Sequence, residues 1–561
     1  MKKKLSSTTP LQRFINLLKL DKKDIYQVFF YAVFSGIVSL SLPLGIQAII
    51  NLIQGGRVSL SWIILVIVVI LGVAFNGVLK LMQLRITESI QQKIFIRSSF
   101  EFSYRFPKIK YTEFNNSYPP ELANRFFDTL TVQKSVAKLI LDYSESLLQI
   151  IFGLLLLSIY HPLFILFGII LFIVLFLIFR VSFQPGLKTS LKESKYKYKV
   201  ANWIQEIARN YFGFKNKIET EYALSKNDLL VAEYLKSRES HFQIIKQQFI
   251  QLIGFKILIS AGLLLIGGYL VINQQINIGQ FVAAEIIILL IINSVEKIIV
   301  GLETFYDLLT SIEKIGQIVD MDLEENTTEE HNYCFKNILF EIDNLNFSFP
   351  DSNKKIINNI SLKINQGENI YLAGKNGSGK TTFLRILAGL IQTNTNSIYI
   401  NDENYKRINI AQYRSQIGVI TAGQSTFAGT IYENITFNNK SIQPERLKWV
   451  LEKIKLTDEI KQLSNGLDEM LLADGKQLSS STSQKILLAR AIINYPTILF
   501  LEEPFEKMDR EQANEIIDFI VSKENNWTVI VTSKNEYWKQ KCERVITLEK
   551  GKLISDTKEP C

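Results

Sequence analysis

Six apolar runs dominate the first three hundred residues of this 561-residue chain, at about 25–53, 60–82, 139–160, 162–182, 252–272 and 279–300. Each is near the ~20 residues that cross a bilayer as a helix. A backbone in hydrocarbon must satisfy its own hydrogen bonds, so runs of this length predict membrane helices. Polar residues in the first run, among them Ser35, Ser39, Ser41, Gln47 and Asn51, must then face the bundle interior or a cavity. The 47% hydrophobic content looks globular only because it averages these runs with a polar remainder. A chain this long exceeds one ordinary core, and a second domain is expected.

Charge sets the orientation. The links at 54–57, 161–162 and 273–278 carry almost no charge, Arg57 excepted. The opposite side gathers Lys2, Lys3, Lys4, Arg13, Lys19, Lys22 and Lys23, then Lys93, Arg97, Arg105, Lys108 and Lys110, then Lys188 to Lys199. The positive-inside rule puts both termini and the long loops 83–138 and 183–251 in the cytoplasm. Polar stretches of that length predict helices extending out of the membrane. The net charge of +9 is spent on this topology, so no nucleic-acid partner is expected. The basic start, Met1 to Lys4, precedes a long run without a small-residue cleavage site, which predicts a retained helix rather than a signal peptide. Cys334, Cys542 and Cys561 show no zinc spacing and no disulfide framework.

Residues 321–338 are polar and acidic, as in a linker between a membrane domain at 1–320 and a soluble domain at 339–561. From Leu339 onward β-rich stretches alternate with helical ones, the pattern of an α/β domain. Within it, Glu368 to Ala373 reads as a buried strand and Thr382 to Ala388 as a helix. Between them runs Gly374-Lys375-Asn376-Gly377-Ser378-Gly379-Lys380-Thr381, the G-x-x-x-x-G-K-[ST] phosphate loop in its required context. Glycines let backbone N–H groups approach a pyrophosphate, and the helix start adds its positive dipole end. Lys380 would neutralise the β- and γ-phosphates of ATP, and the Thr381 hydroxyl would hold Mg²⁺. Further on, Thr497 to Leu501 is an apolar strand ending in Glu502-Glu503-Pro504. A carboxylate at such a tip holds Mg²⁺ in P-loop ATPases, and a second one orients the attacking water. The expected fold is therefore a helical membrane bundle of six transmembrane helices plus an α/β P-loop NTPase domain.

These residues resemble the ATP-binding cassette of the ABC exporters, and the resemblance covers almost the whole chain. Phe347-Ser348-Phe349-Pro350 is similar to the adenine-stacking segment, with Phe349 in the aromatic position. Ile417 to Val419, with Phe427 to Ile435, resembles the segment around the glutamine loop; Leu478 to Thr482, followed by Ile486 to Ala491, resembles the signature. Met508-Asp509 matches the D-loop and Val531-Thr532-Ser533 the switch. The resemblance implies ATP bound by Phe349, by the loop 374–381 and by Thr382. It implies Mg²⁺ on Thr381 and Glu502, and hydrolysis through Glu503 and Lys380. It also implies a partner's ATP met by Ser479, Ser480, Ser481 and Thr482. One cassette per chain implies a dimer, with a second copy favoured over a different chain. Leu42 to Gln47 looks most like the type I secretion branch, which would add a periplasmic adaptor and an outer-membrane channel. No room for an N-terminal peptidase domain is expected ahead of residue 25.

The chain also departs from the pattern. Ala422 stands where the family has its loop glutamine, with Gln424 two residues on as a substitute. Ser480 and Ser481 replace signature glycines, Thr482 replaces a glutamine, and Glu502 is one methylene longer than the usual aspartate. Ser533 replaces the switch histidine, and since the only histidines are His161, His241 and His331, no other histidine of the cassette can stand in. Losing one positioned donor costs roughly 10²–10³ in rate. The expectation is good ATP binding and slow hydrolysis.

Two readings stay open for Glu285, inside the sixth run: a contact with polar or cationic cargo or a coupling step, or a helix–helix hydrogen bond or cavity position with no cargo role. Trp203 and Phe212 could couple a long loop to a cassette or simply pack between helices. Three functions compete: export of a secreted peptide or protein, export of a lipid or small hydrophobic molecule, and a membrane regulator that binds ATP but barely hydrolyses it.

Overall fold

The structure, a computed structural model, describes residues 8–54, 60–114, 117–324, 338–350, 352, 354–393 and 396–558. Most of the expected linker, with His331, Cys334, Arg57 and the first lysines, lies outside those residues, as does Cys561. The described chain divides into two units, one of residues 1–107 and 117–321 and one of 108–116 and 322–561.

The described residues of the first unit form helices joined by short turns, with no strand among them. A short amphipathic helix α1 (Pro10–Leu20) precedes α2 (Lys22–Ser39) and α3 (Ser41–Gln54). Then come α4 (Leu60–Arg105), the short α5 (Pro119–Ala123), α6 (Asp128–Tyr160), α7 (Leu163–Arg209), α8 (Lys217–Ile272) and α9 (Ile278–Val319). Among the described residues, six segments are long and apolar enough to cross a membrane, with α2 and α3 counted as one. They coincide with the six runs read from the sequence. The first run is broken at Leu40, because Pro43 cannot donate the hydrogen bond that would continue the helix back into α2. Helices α4, α6, α7 and α8 run on well beyond the apolar stretch, as the long polar loops predicted, and α9 does so too, at an end for which no extension was expected.

Several polar groups of the apolar runs are paired across helices. Ser35 is buried and donates to Asn76 on α4, and Gln47 accepts from Tyr160 on α6. Glu145 on α6 is shared by Lys80 at 2.6 Å and Lys297 at 3.5 Å, while Glu296 takes Lys256 at 2.7 Å. Trp203 is buried between α7 and α8, its Nε1 donating to the Ala223 carbonyl at 3.1 Å. Phe212, nearby, stays exposed.

The second unit has two main sheets. Strands β1 (Phe340–Phe347), β2 (Ile357–Ile364), β3 (Asn369–Ala373), β4 (Ile398–Ile400) and β5 (Glu403–Asn404) come first, with α10 (Lys380–Leu387) after β3. There follow α11 (Ile410–Ser415), β6 (Ile417–Ile420), β7 (Gly429–Thr430), α12 (Ile431–Thr436), α13 (Pro444–Lys453), α14 (Thr457–Lys461) and β8 (Met470–Leu471). The last elements are α15 (Ser480–Ile492), β9 (Ile498–Glu502), α16 (Arg510–Val521), β10 (Thr528–Thr532), α17 (Glu536–Lys541), β11 (Arg544–Glu549) and β12 (Lys552–Lys558). One sheet runs β2-β1-β4-β5 and is antiparallel; β7 pairs with β8. The central sheet runs β12-β11-β3-β10-β9-β6, parallel except at its β12 edge.

That parallel core explains the unbroken apolar strands, since both faces are covered. Ile370, Leu372, Phe500 and Ile530 pack with Phe383, Leu384 and Leu387 of α10. Their neighbours Tyr371, Leu499, Leu501, Val529 and Val531 face the other way, towards Ile486 and Leu488 of α15 and Ile516 of α16. The α/β domain is thus the one expected. Residues 108–116 join it locally: Ile109 bridges Leu323, and Arg414 of α11 grips both oxygens of Glu324 at 2.7 and 2.8 Å.

Candidate functional site

In an open parallel sheet, ligands bind beyond the carboxyl ends of the strands. Three candidate segments leave this sheet at that edge: the phosphate loop after β3, Ser533 after β10, and Glu502-Glu503 at the tip of β9. Strand β10 lies between the other two, with Thr532 opposite Glu502.

The phosphate loop is held open by glycines. A Cβ on Gly374, where φ is +142°, would sit 2.3 Å from the Leu548 carbonyl oxygen. On Gly379, at φ +102°, it would sit 2.9 Å from the Ile356 carbonyl oxygen. Lys375, Asn376 and Gly377 are exposed at the crest, whereas Ser378 is buried and its hydroxyl has no partner. The Lys380 ammonium folds back over the loop, donating to the carbonyls of Gly374 at 2.7 Å and Lys375 at 3.2 Å. Burial pushes that ammonium below the usual lysine value, with Glu503 pulling the other way. Thr381 and Thr382 follow on the first turn of α10. A glycine cradle, an orphan hydroxyl, a poised ammonium and a helix start fit a polyphosphate.

The strand tip is sharply bent. Glu503 and Phe505 both take left-handed backbone angles, at φ +46° and +66°, which non-glycine residues adopt at a cost. The Glu503 N–H donates to the Thr532 carbonyl at 2.8 Å, its carboxylate accepts from the Lys534 N–H at 3.1 Å, and Phe505 stacks on Trp538. Glu503 therefore stands half-buried, anchored by β10 and its extension. Glu502 is buried, and its Oε2 receives both Nε (3.1 Å) and Nη2 (2.8 Å) of Arg385. Thr381 and Glu502 offer hard oxygen donors of the kind Mg²⁺ prefers.

The departures from the family pattern have visible local roles. Ser533 takes the Asn535 N–H on its hydroxyl at 3.1 Å and the Tyr371 hydroxyl on its carbonyl at 2.7 Å. Gln424 turns back to accept from the Thr421 N–H at 3.2 Å, and Ala422 has no polar group to offer. The two lie on a cleft of about 510 Å³ that also reaches Asp474, Ser480, Glu502 and Glu503. Ser479 caps α15 by accepting the Thr482 N–H at 3.0 Å. Thr482 is buried and donates to Glu459 at 2.6 Å, and the same carboxylate holds the buried Lys485. Ser480, exposed, and Ser481 open the helix. Asp509 caps α16, accepting from the Glu511 N–H at 3.1 Å. Phe349 meets Phe347 edge-on at 5.1 Å and lies 6.4 Å from Tyr111. In the first unit, Glu285 is exposed on α9.

The sequence reading missed Arg385, Glu459 and Tyr371. Arg385 had a usable signal, since it stands four residues after Thr381 and so on the same helix face. Glu459 had none, being remote in sequence from the helix it anchors.

Comparison with known proteins agrees with this geometry. Residues 25–295 match the ABC transporter transmembrane region and residues 357–506 the ABC transporter domain. The chain is 28% identical over 316 residues to the leukotoxin export ATP-binding protein LtxB of Aggregatibacter actinomycetemcomitans, covering 56% of this chain and 44% of that one. It is 27% identical over 316 residues to the alpha-hemolysin translocation ATP-binding protein HlyB of Escherichia coli O157:H7, covering 55% and 44%. The matches thus span less than half the length of these relatives. A bacterial Atm1-family ABC exporter solved with ATP bound shares the fold at a TM-score of 0.85, with 14% identity, over 96% of this chain and 95% of that one. A membrane region and a nucleotide-binding domain fused in one polypeptide define the half-transporter class. The chain belongs to the ABC transporters, with a transmembrane region and an ATP-binding domain in one polypeptide.

Proposed function

We propose that two copies of this chain form an ATP-driven exporter in the cytoplasmic membrane, with both termini and the cassettes inside. The observation that carries the reading is the phosphate loop, with Lys380 poised over its carbonyls at the sheet edge that also bears Glu503. The loop amides and Lys380 bind and neutralise the β- and γ-phosphates of ATP. Phe349 offers a face to the adenine. Glu503 orients a water for attack and takes its proton, its backbone held by β10. Thr381 and Glu502 would hold Mg²⁺, which supplies charge neutralisation at the β- and γ-oxygens when bound. Ser479 to Thr482 at the start of α15 would meet the partner's nucleotide.

Hydrolysis is slow in this proposal. The Ser533 hydroxyl is engaged by Asn535, and Gln424 is folded onto its own loop. A secreted peptide or protein is the favoured cargo, supported by relatives whose names record leukotoxin export and alpha-hemolysin translocation. A periplasmic adaptor and an outer-membrane channel would then complete the path. The test is ATP binding and turnover in nanodiscs for the native chain and for Glu503→Gln. Both should bind ATP, and the native chain should turn over slowly but clearly above the variant. Equal background rates would overturn the exporter in favour of a regulator that only binds ATP.

A further inference from the structure

The guanidinium of Arg385 has an unusual set of partners. Its Nε and Nη2 both reach Oε2 of Glu502, at 3.1 and 2.8 Å, and its Nη1 reaches the Tyr111 hydroxyl at 3.3 Å. Glu502 is 95% buried at the side chain and Arg385 80%, so the pair is poorly screened by water. The pairing joins the tip of β9 to the face of α10 that also carries Thr381, four residues earlier. An aspartate at 502 would be one methylene shorter and would reach less far towards α10. The longer side chain and the arginine therefore form one device.

We propose that Arg385 is a positioning residue that competes with the divalent cation for Glu502, making this chain's nucleotide site a weak metal binder. The inference rests on the ATP-site reading above. A fixed positive charge on the carboxylate that should ligate Mg²⁺ acts twice. It occupies one oxygen, and it repels the incoming ion. Tyr111 holds the third guanidinium nitrogen, so the arginine stays directed at the strand tip.

A structural role for the ion pair and a competitive one predict opposite signs. If the pair only braces α10 against β9, removing Arg385 should loosen the site and weaken metal binding. If it competes, removal should strengthen metal binding. The size expected is about tenfold, the effect that one nearby opposite charge exerts on a carboxylate's affinity for a proton.

The experiment uses the full chain in nanodiscs at pH 8. ATP binding is first measured in EDTA for each variant. Free Mn²⁺ is then titrated at saturating ATP and followed by electron paramagnetic resonance. Arg385→Met and Glu502→Asp should each bind Mn²⁺ about tenfold more tightly than the native chain once each variant's own metal-free ATP affinity is taken into account. Arg385→Lys, which keeps the charge, should stay near native. Glu502→Asp covers the case in which Arg385→Met fails to fold, because it removes no charge. Native or weaker Mn²⁺ binding in Glu502→Asp, or in a folded Arg385→Met, overturns the proposal, as does an Arg385→Lys that behaves like Arg385→Met. Loss of ATP binding in EDTA by the native chain would instead sink the ATP-site reading, leaving the two failures distinguishable.

Discussion

Replacing Glu459 by alanine tests how the altered signature helix is held. Among the described residues, Glu459 on α14 is the carboxylate partner of Lys485, a residue 2% exposed in the middle of α15. The same carboxylate receives the Thr482 hydroxyl at 2.6 Å. Removal leaves the Lys485 ammonium with the Lys455 carbonyl at 3.1 Å, and Thr482 with Ser479 at 2.7 Å. Breaking a buried pair from one side costs about 3–5 kcal/mol, because a charge is stranded. Glu459 is about a third exposed at its side chain, which argues for the lower end, near 3 kcal/mol. For a domain of this size that is a drop in melting temperature of roughly 6–12 °C. Tryptophan fluorescence reads it well, since Trp449, Trp527 and Trp538 lie in the cassette and only Trp62 and Trp203 elsewhere. The double variant Glu459→Ala with Lys485→Met removes the stranded charge and should recover at least half of the loss. A drop of under 2 °C for the single variant, or no recovery in the double, would refute the claim that a buried charge is at stake.

Gly374→Ala should reduce ATP binding more than about 100-fold in a fluorescent-nucleotide assay, since its Cβ would press on the Leu548 carbonyl at 2.3 Å and backbone strain of this kind costs a few kcal/mol. Ser533→Ala should leave the ATPase rate within about twofold of native and lower stability by about 1 kcal/mol, the worth of one local hydrogen bond; a large loss of rate would give the hydroxyl a chemical role. ATP affinity should fall as pH rises through the lowered value of Lys380, because phosphate binds the charged form and burial has already disfavoured it. Calorimetry in buffers of differing ionisation heat should then show proton uptake on binding in the alkaline range, and no uptake there would contradict the placement of Lys380. Arg544, held by Asp556 and Glu368 while 5% exposed, should not tolerate methionine: a loss of about 3 kcal/mol is expected in urea unfolding.

Much of this architecture could be read from the chain because its strongest signals are local. The membrane runs are contiguous, and the phosphate loop sits in eight consecutive residues between a strand and a helix. The misses share a physical cause. The pairing of Arg385 with Glu502, and of Glu459 with Thr482 and Lys485, depends on how elements remote in sequence pack together, which no periodicity records. Residues 108–116 looked like part of a cytoplasmic loop, but their bridge to Leu323 groups them with the cassette. The break at Leu40 was hidden inside one apolar run, although Pro43 offered the clue. Gln424 could be counted as a stand-in for the missing loop glutamine only while its side-chain direction was unknown.

The bond from the Glu503 amide to the Thr532 carbonyl separates two things that residue 533 would otherwise control together. The backbone of the β10 extension fixes where the carboxylate stands, while the side chain at 533 contributes only its own chemistry. A chain built this way can exchange that side chain, histidine for serine or the reverse, without displacing Glu503. Under the proposed hydrolysis, catalytic speed would then be adjustable by single substitutions, like a dial mounted on a frame that does not move.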